Sequence, residues 1–190
     1  MTKGQAQVIQ AALQVLNDQG YAGVSLRAVA RQMGVRMNTV VWHVKSKKRL
    51  DELMADAIVA CVSLEGLPDH WQERAAELAR RYRRALLAYR DGASVVVGTY
   101  AAEPATLAVA DALTGAFLDG GFTEQEAAWT CWCVAYLTLG LCQEEQALPR
   151  APVPESESGH LGALHRTWPF VQDGSFDERF DYGIAKLIAR

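Results

Sequence analysis

Apolar residues recur every three or four positions along most of the chain, the spacing that buries one face of a helix. Val8, Ile9, Ala12, Leu13, Val15 and Leu16 set this period over Gln5–Gln19, and Gly20 stands where a C-terminal cap belongs. Ser25 predicts the start of a second helix with an inner face of Leu26, Val29, Ala30 and Met33, and Gly34 ends it. A third short helix is expected at about Met37–Val44, with no clear break before a fourth that Ser46 caps. The stripe of the fourth is Leu50, Leu53, Met54, Ala57, Ile58 and Cys61. Leu64–His70 interrupts the pattern. Further helices are predicted at about Trp71–Tyr89, Ala93–Thr99 and Pro104–Asp119, and from a Thr123/Glu126 capping box to about Ala147. The Pro-, Ser- and Glu-rich stretch Pro149–Gly159 reads as a mobile connection. Leu161–Trp168, and Phe176–Ala189 behind a second capping box of Ser175 and Glu178, complete about ten helices. Strand alternation and hairpin signals are absent. The predicted fold class is all-α: an N-terminal three-helix helix-turn-helix domain, residues 1–46, and a C-terminal helical bundle, residues 47–190, linked rigidly by a long helix of about residues 47–63.

Leu26–His43 fits the helix-turn-helix register position by position. Counting from Leu26, the fifth residue is the small Ala30, which lets two helices approach, and the ninth is Gly34, which permits a positive φ at the turn. Val29, Met33, Val35 and Val40 take the apolar positions that pack the two helices together. The outer face of the second helix is then left to Arg36, Met37, Asn38, Thr39, Val41 and His43. Asn pairs bidentately with adenine, and Thr or Val methyls meet a thymine methyl. Arg27, Lys45, Lys47 and Lys48 flank that face and suit phosphates.

Charge sharpens this picture. Residues 1–50 hold eight Lys/Arg and one acid, Asp18, a net +7, whereas residues 51–190 hold eleven Lys/Arg and twenty-one Asp/Glu, a net −10. A small basic segment on an acidic body points to a local polyanion surface. A solvated basic face without a partner is the plainer alternative.

Other chemistries find little support. Cys131 and Cys133 point to different sides of a helix and cannot share a metal; with Cys61 and Cys142 they read as buried thiols in a reducing compartment. His70, His160 and His165 are scattered, and no nucleophile elbow, zinc-protease motif or phosphate-loop lysine is present, so no enzyme, metal or cofactor is expected. The longest apolar stretch, Ala93–Gly98, is too short for a membrane span, and the polar first ten residues suggest no signal peptide, so a cytoplasmic location is expected.

Leu26–Leu50, with Gly34-Val35, Thr39, Trp42-His43-Val44-Lys45 and Lys47, resembles the TetR family of transcriptional regulators, in particular its tetracycline-repressor branch. The resemblance continues through Arg90-Asp91-Gly92-Ala93, Gly98-Thr99, Ala116-Phe117-Leu118, Gly121-Phe122 and Thr138-Leu139-Gly140, and so covers nearly the whole chain. It implies a homodimer that binds a double-stranded DNA operator and a small-molecule effector. It assigns operator contacts to Arg27, Met37, Asn38, Thr39, Val41, His43 and Lys47. Val41 stands where that family usually has an aromatic, and Met37-Asn38 where it has Gln-Pro, which implies a different operator. Repression is the implied mode; activation, or a helical interaction protein that binds no DNA, are the alternatives.

In the second domain Tyr82, Leu86, Val96, Thr99, Tyr100, Leu113, Phe117, Trp129, Trp132 and Tyr136 could line a cavity, or simply fill a core. The resemblance adds that tetracycline repressors bind a magnesium chelate through a His in the sixth helix and a Glu late in the eighth. Here the His position is Val96, which cannot coordinate magnesium, while Glu144 matches the Glu. Leu78 and Tyr82 replace an Asn and a Phe. The expected effector is therefore a hydrophobic aromatic or polycyclic compound held without metal, with Thr99 and Tyr82 or Tyr136 donating hydrogen bonds. By the same resemblance, Thr123–Ala147 and Phe176–Ala189 pair across a two-fold axis. Arg80, Arg81, Arg83, Arg84 and Arg90 read as ion-paired or solvated surface, with interdomain contacts as the alternative.

Overall fold

The structure, a computed structural model, describes residues 2–99, 102–147, 162–170 and 175–189. Its helices are α1 (Lys3–Gln19), α2 (Leu26–Met33), α3 (Met37–Val44), α4 (Lys47–Val59), α5 (Trp71–Leu87), α6 (Gly92–Val97), α7 (Pro104–Asp119), α8 (Glu124–Gln146), α9 (Gly162–Thr167) and α10 (Phe176–Ile188). There is no strand among the described residues. The Pro149–Gly159 connection, His160 and the expected liner Tyr100 lie outside them.

Local chemistry starts the first helices where the sequence places them. Orphan amides of a first turn need acceptors. Thr2 Oγ1 accepts from Gln5 N at 3.3 Å, Ser25 Oγ from Ala28 N at 3.1 Å, and Ser46 Oγ from Arg49 N at 3.0 Å. The Thr123/Glu126 capping box forms reciprocally. The second box does not. Ser175 has φ −66° and ψ 29° rather than the extended backbone of a cap, and its hydroxyl is buried with no partner among the described residues instead of reaching the amide of Glu178.

Two cores follow. Val8, Val15, Leu16, Val29, Val40 and Met54 anchor the first, which binds α1–α4. Leu78, Leu113, Phe117, Val134 and Ile184 anchor the second, among α5, α7, α8 and α10. Ala93 and Val95 of α6, with Leu86 and Cys142, join the first core, so α6 sits at the seam. Polar ties close the same seam. Asp91 Oδ2 accepts from Tyr21 N at 2.8 Å, and Asn17 Oδ1 from Arg90 N at 3.0 Å. Gly20 is required there, because its φ is +72° and a Cβ would lie 2.8 Å from Asp91.

Three expectations about α2–α4 need correction. Val35 is 37% exposed, at the turn rather than between the helices. A break does separate α3 from α4: Lys45 adopts φ +65°, and its amide ends α3 on the carbonyl of Val41 at 2.8 Å. The fourth helix stops at Val59, not near residue 63. Cys61 and Val62 donate to carbonyls three residues back, tightening the last turn, and Arg81 Nη1 donates to the carbonyls of Ser63 (2.8 Å) and Glu65 (2.6 Å). Cys61, past the helix end, is exposed rather than part of the buried stripe.

Candidate nucleic-acid interface and ligand cavity

The turn between α2 and α3 is built on Gly34. It lies in the left-handed region (φ 66°, ψ 28°), and Val35 N returns to the carbonyl of Ala30 at 3.0 Å. With Val40 and Val44 buried on its inner side, α3 turns Arg36, Met37, Asn38 and Thr39 to solvent. Trp42, which the outer-face assignment omitted, is 70% exposed on the same surface, with the Lys45 ammonium 5.7 Å from its ring centre. The signal was available, because Trp42 lies four residues after Asn38 and shares its helix face.

Other expected contacts are more constrained. Val41 and His43 are half-buried. The His43 ring packs over the Gly4 backbone, where an added Cβ would fall 2.3 Å from Cε1, and meets Trp42 edge-on at 4.8 Å. Lys47 pairs with Asp51 and lies 4.7 Å from the Tyr21 ring centre, so its charge is turned back onto the protein. Burial, and Asp51 after it, push the Tyr21 phenol up.

The cations divide sharply. Arg27, Arg31, Arg36 and Lys48 are exposed and form no ion pair among the described residues. By contrast Arg74, Arg80, Arg81, Arg83, Arg84 and Arg179 all face carboxylates: Asp119, Asp181, Glu77, Glu145 with Asp177, Glu77 and Glu144 respectively. Arg90 takes the interdomain alternative, donating from Nη1 to the carbonyl of Asp18 at 3.2 Å. Uncompensated positive charge is thus concentrated around α2 and α3.

A cavity of about 310 Å³ opens between α5, α7 and α8, with the ends of α4 and α6 at its edge. Of the expected liners, Tyr82, Val96, Thr99, Leu113 and Trp132 do line it. Leu86 and Phe117 do not; both are fully buried in the two cores. Trp129 (63% exposed) and Tyr136 (64% exposed) also do not, because they stand on the outer side of α8, so Tyr136 cannot supply a hydrogen bond inside. Sequence reasoning missed Thr106, Ala110, Thr114, Cys131 and Leu139, small or apolar helix residues with no chemical signature of their own.

Among the described residues the lining carries no carboxylate, imidazole or cation. Glu144 lies outside it, exposed, 3.7 Å from Arg179. The lining hydroxyls are mostly engaged. Thr99 Oγ1 donates to the carbonyl of Val96 at 3.0 Å, Thr106 Oγ1 to Asp56 at 3.0 Å, and Thr114 bonds Cys131, whose thiol is pushed up by burial. The Tyr82 phenol is pushed up by burial and has no hydrogen-bond partner among the described residues.

A tether joins this cavity to the DNA-facing half. Asp56 Oδ1 on α4 accepts from both the backbone amide (2.8 Å) and the hydroxyl of Thr106 in the first turn of α7. About two turns earlier on α4, Arg49 bridges Glu52 and Glu103, the residue that precedes Pro104 at the start of α7. The hydrogen bond to Arg49 holds the Glu103 carboxyl below the usual carboxylate range.

The model of bacterial regulatory proteins of the tetR family matches residues 8–52, and that of the tetracyclin repressor-like C-terminal domain matches residues 65–189. The chain belongs to the TetR family. Its relatives include the class C tetracycline repressor protein of Escherichia coli, 33% identical, with 95% of this chain and 87% of the relative covered. A possible TetR family transcriptional regulator from Streptomyces coelicolor A3(2) superposes with a TM-score of 0.83 at 34% identity, over 96% of both chains. The Q116A variant of TetR from Acinetobacter baumannii AYE, solved in complex with minocycline, superposes at 0.75 with 27% identity, over 99% of this chain and 94% of that one. As a TetR family member the chain is a DNA-binding transcriptional regulator with a ligand-binding C-terminal domain, from a family that is generally non-enzymatic and typically dimeric.

Proposed function

We propose that this TetR family member is a cytoplasmic repressor that binds a palindromic operator as a homodimer and is released by a small hydrophobic or aromatic effector held without metal. The observation that carries this reading is the segregation of charge: the arginines of α5 are neutralised, while Arg27, Arg31, Arg36 and Lys48 around the helix-turn-helix have no ion pair among the described residues. Free cations are what a phosphate backbone recruits. Asn38 and Thr39 are exposed between them to read base edges, with Trp42 on the same face. One such helix reads few bases, and two-fold symmetry supplies a second half-site about 34–36 Å away.

The resident donors do not fit a magnesium chelate. Magnesium takes oxygen ligands or an occasional imidazole, and the described cavity wall offers no carboxylate or imidazole, only apolar carbon, threonine hydroxyls mostly engaged, one phenol, the Cys131 thiol and the Trp132 indole. The name of the class C relative therefore does not carry its ligand over. Effector release would run through α4. A ligand that wedges α7 away from α5 and α8 pulls on Asp56 and Arg49, and α4 follows the recognition helix after only Lys45 and Ser46. It can do so only by binding the DNA-free arrangement better, with a coupling of about 1–3 kcal/mol.

A gel shift with DNA upstream of the protein's own gene tests the reading. A shift that salt abolishes is expected, together with no binding of tetracycline plus magnesium at micromolar concentration. No shift at low salt overturns the regulator reading, and micromolar binding of the chelate overturns the metal-free site.

A further inference from the structure

We infer that the effector is an uncharged aromatic carbonyl compound, a ketone or quinone whose oxygen accepts a hydrogen bond from the Tyr82 hydroxyl. This rests on the reading of the α5–α7–α8 cavity as the effector site. The first argument is charge. The described wall holds no cation to meet an acidic ligand, and a carboxylate moved into it would lose its water without compensation. An amine fares no better. No carboxylate lines the described wall, and Asp56 lies behind Thr106, which donates two hydrogen bonds to its Oδ1.

The second argument is an accounting of protons. The hydroxyl hydrogens of Thr99 and Thr106 are committed to the Val96 carbonyl and to Asp56. These groups can accept from a ligand but have no proton left to give. Tyr82 is the reverse. Burial keeps its phenol protonated, and its O–H has no acceptor among the described residues. The hydroxyl is not sealed into the wall but opens on the cavity, where a ligand can reach it. A ligand carbonyl would supply the missing acceptor. The third argument is shape: Trp132 lines the cavity and offers an aromatic surface to a flat ring system.

Three probes of matched outline separate the possibilities: fluorene, which has no acceptor; fluorenone, which adds the carbonyl; and a fluorenone carboxylate, which adds a charge. Each is titrated calorimetrically into the full chain and into Tyr82→Phe. The ratio of fluorenone to fluorene affinity is expected to drop roughly three- to tenfold in the variant, the worth of one net hydrogen bond. In the wild-type chain, with no variant involved, the carboxylate is expected to bind at least about tenfold more weakly than fluorenone, because its charge goes unpaired. An unchanged ratio in Tyr82→Phe, or a carboxylate that binds as well as fluorenone, overturns the inference while leaving the cavity as an effector site. If none of the three binds, the effector-site reading falls with it.

Discussion

Arg27 and Lys47 both flank the recognition helix, yet only one is available to DNA. Arg27 is exposed with no ion pair among the described residues, whereas Lys47 is engaged by Asp51 and Tyr21. Arg27→Ala should therefore weaken DNA binding at every sequence and reduce the salt slope by about 1. Lys47→Ala should leave that slope unchanged; anisotropy titrations across a salt series check both. Gly34 makes a second prediction at this scale. A Cβ there meets open space, so Gly34→Ala pays only for its positive φ, about 1–2 kcal/mol. Thermal unfolding should show that loss, and an unchanged midpoint would contradict it. The role of Gly34 was legible because Ala30-x-x-x-Gly34 coincided with the apolar register. The fate of Lys47 was legible in principle too, since Asp51 stands at the i,i+4 spacing that pairs charges on a helix. Trp42 was passed over because a tryptophan in an apolar pattern reads as core until the buried face is fixed by Val40 and Val44.

Among the elements α4 matters most. Its start was legible, because a serine cap is a local signal. Its end was not. Ala60-Cys61-Val62 continue the apolar pattern, and past them Arg81 reaches back from α5 to the carbonyls of Ser63 and Glu65, a contact no local window contains. The grip of α4 on α7 was equally hidden, since Asp56 and Thr106 are fifty residues apart. Asp56→Ala should leave binding of fluorenone largely intact while weakening its antagonism with DNA, measured as the reciprocal change in either affinity; undiminished antagonism would contradict a path through Thr106. The Arg49–Glu103 bridge adds a pH dependence. Glu103 titrates below its ordinary value when folded, so its contribution is complete above the unfolded carboxylate pKa and is lost as pH falls through the lowered folded value. Glu103→Gln should flatten the acid limb of a stability–pH curve, by no more than about 1 kcal/mol for a partly exposed pair.

For the whole molecule, the outer side of α8 is informative. Trp129 and Tyr136, with Tyr182 of α10 at 67% exposure, leave large aromatic groups in water. A helix apolar on every side wants partners on every side. This is also why the cavity was only half legible: in α8 periodicity could not separate liners from outward residues, and Trp129 and Tyr136 were assigned inward. The proposed pairing of α8 and α10 with those of a second copy would cover this face, so Tyr136→Arg should shift the protein toward monomer in sedimentation velocity. The central claim concerns the opposite end of the molecule. Its most direct test is the affinity of the full chain for DNA upstream of its own gene as a function of salt. The account predicts tight binding at about 50 mM salt and a loss of roughly 10³-fold by 200 mM, as expected when free cations displace counterions from phosphates. No binding at low salt, or an affinity indifferent to salt, would contradict it.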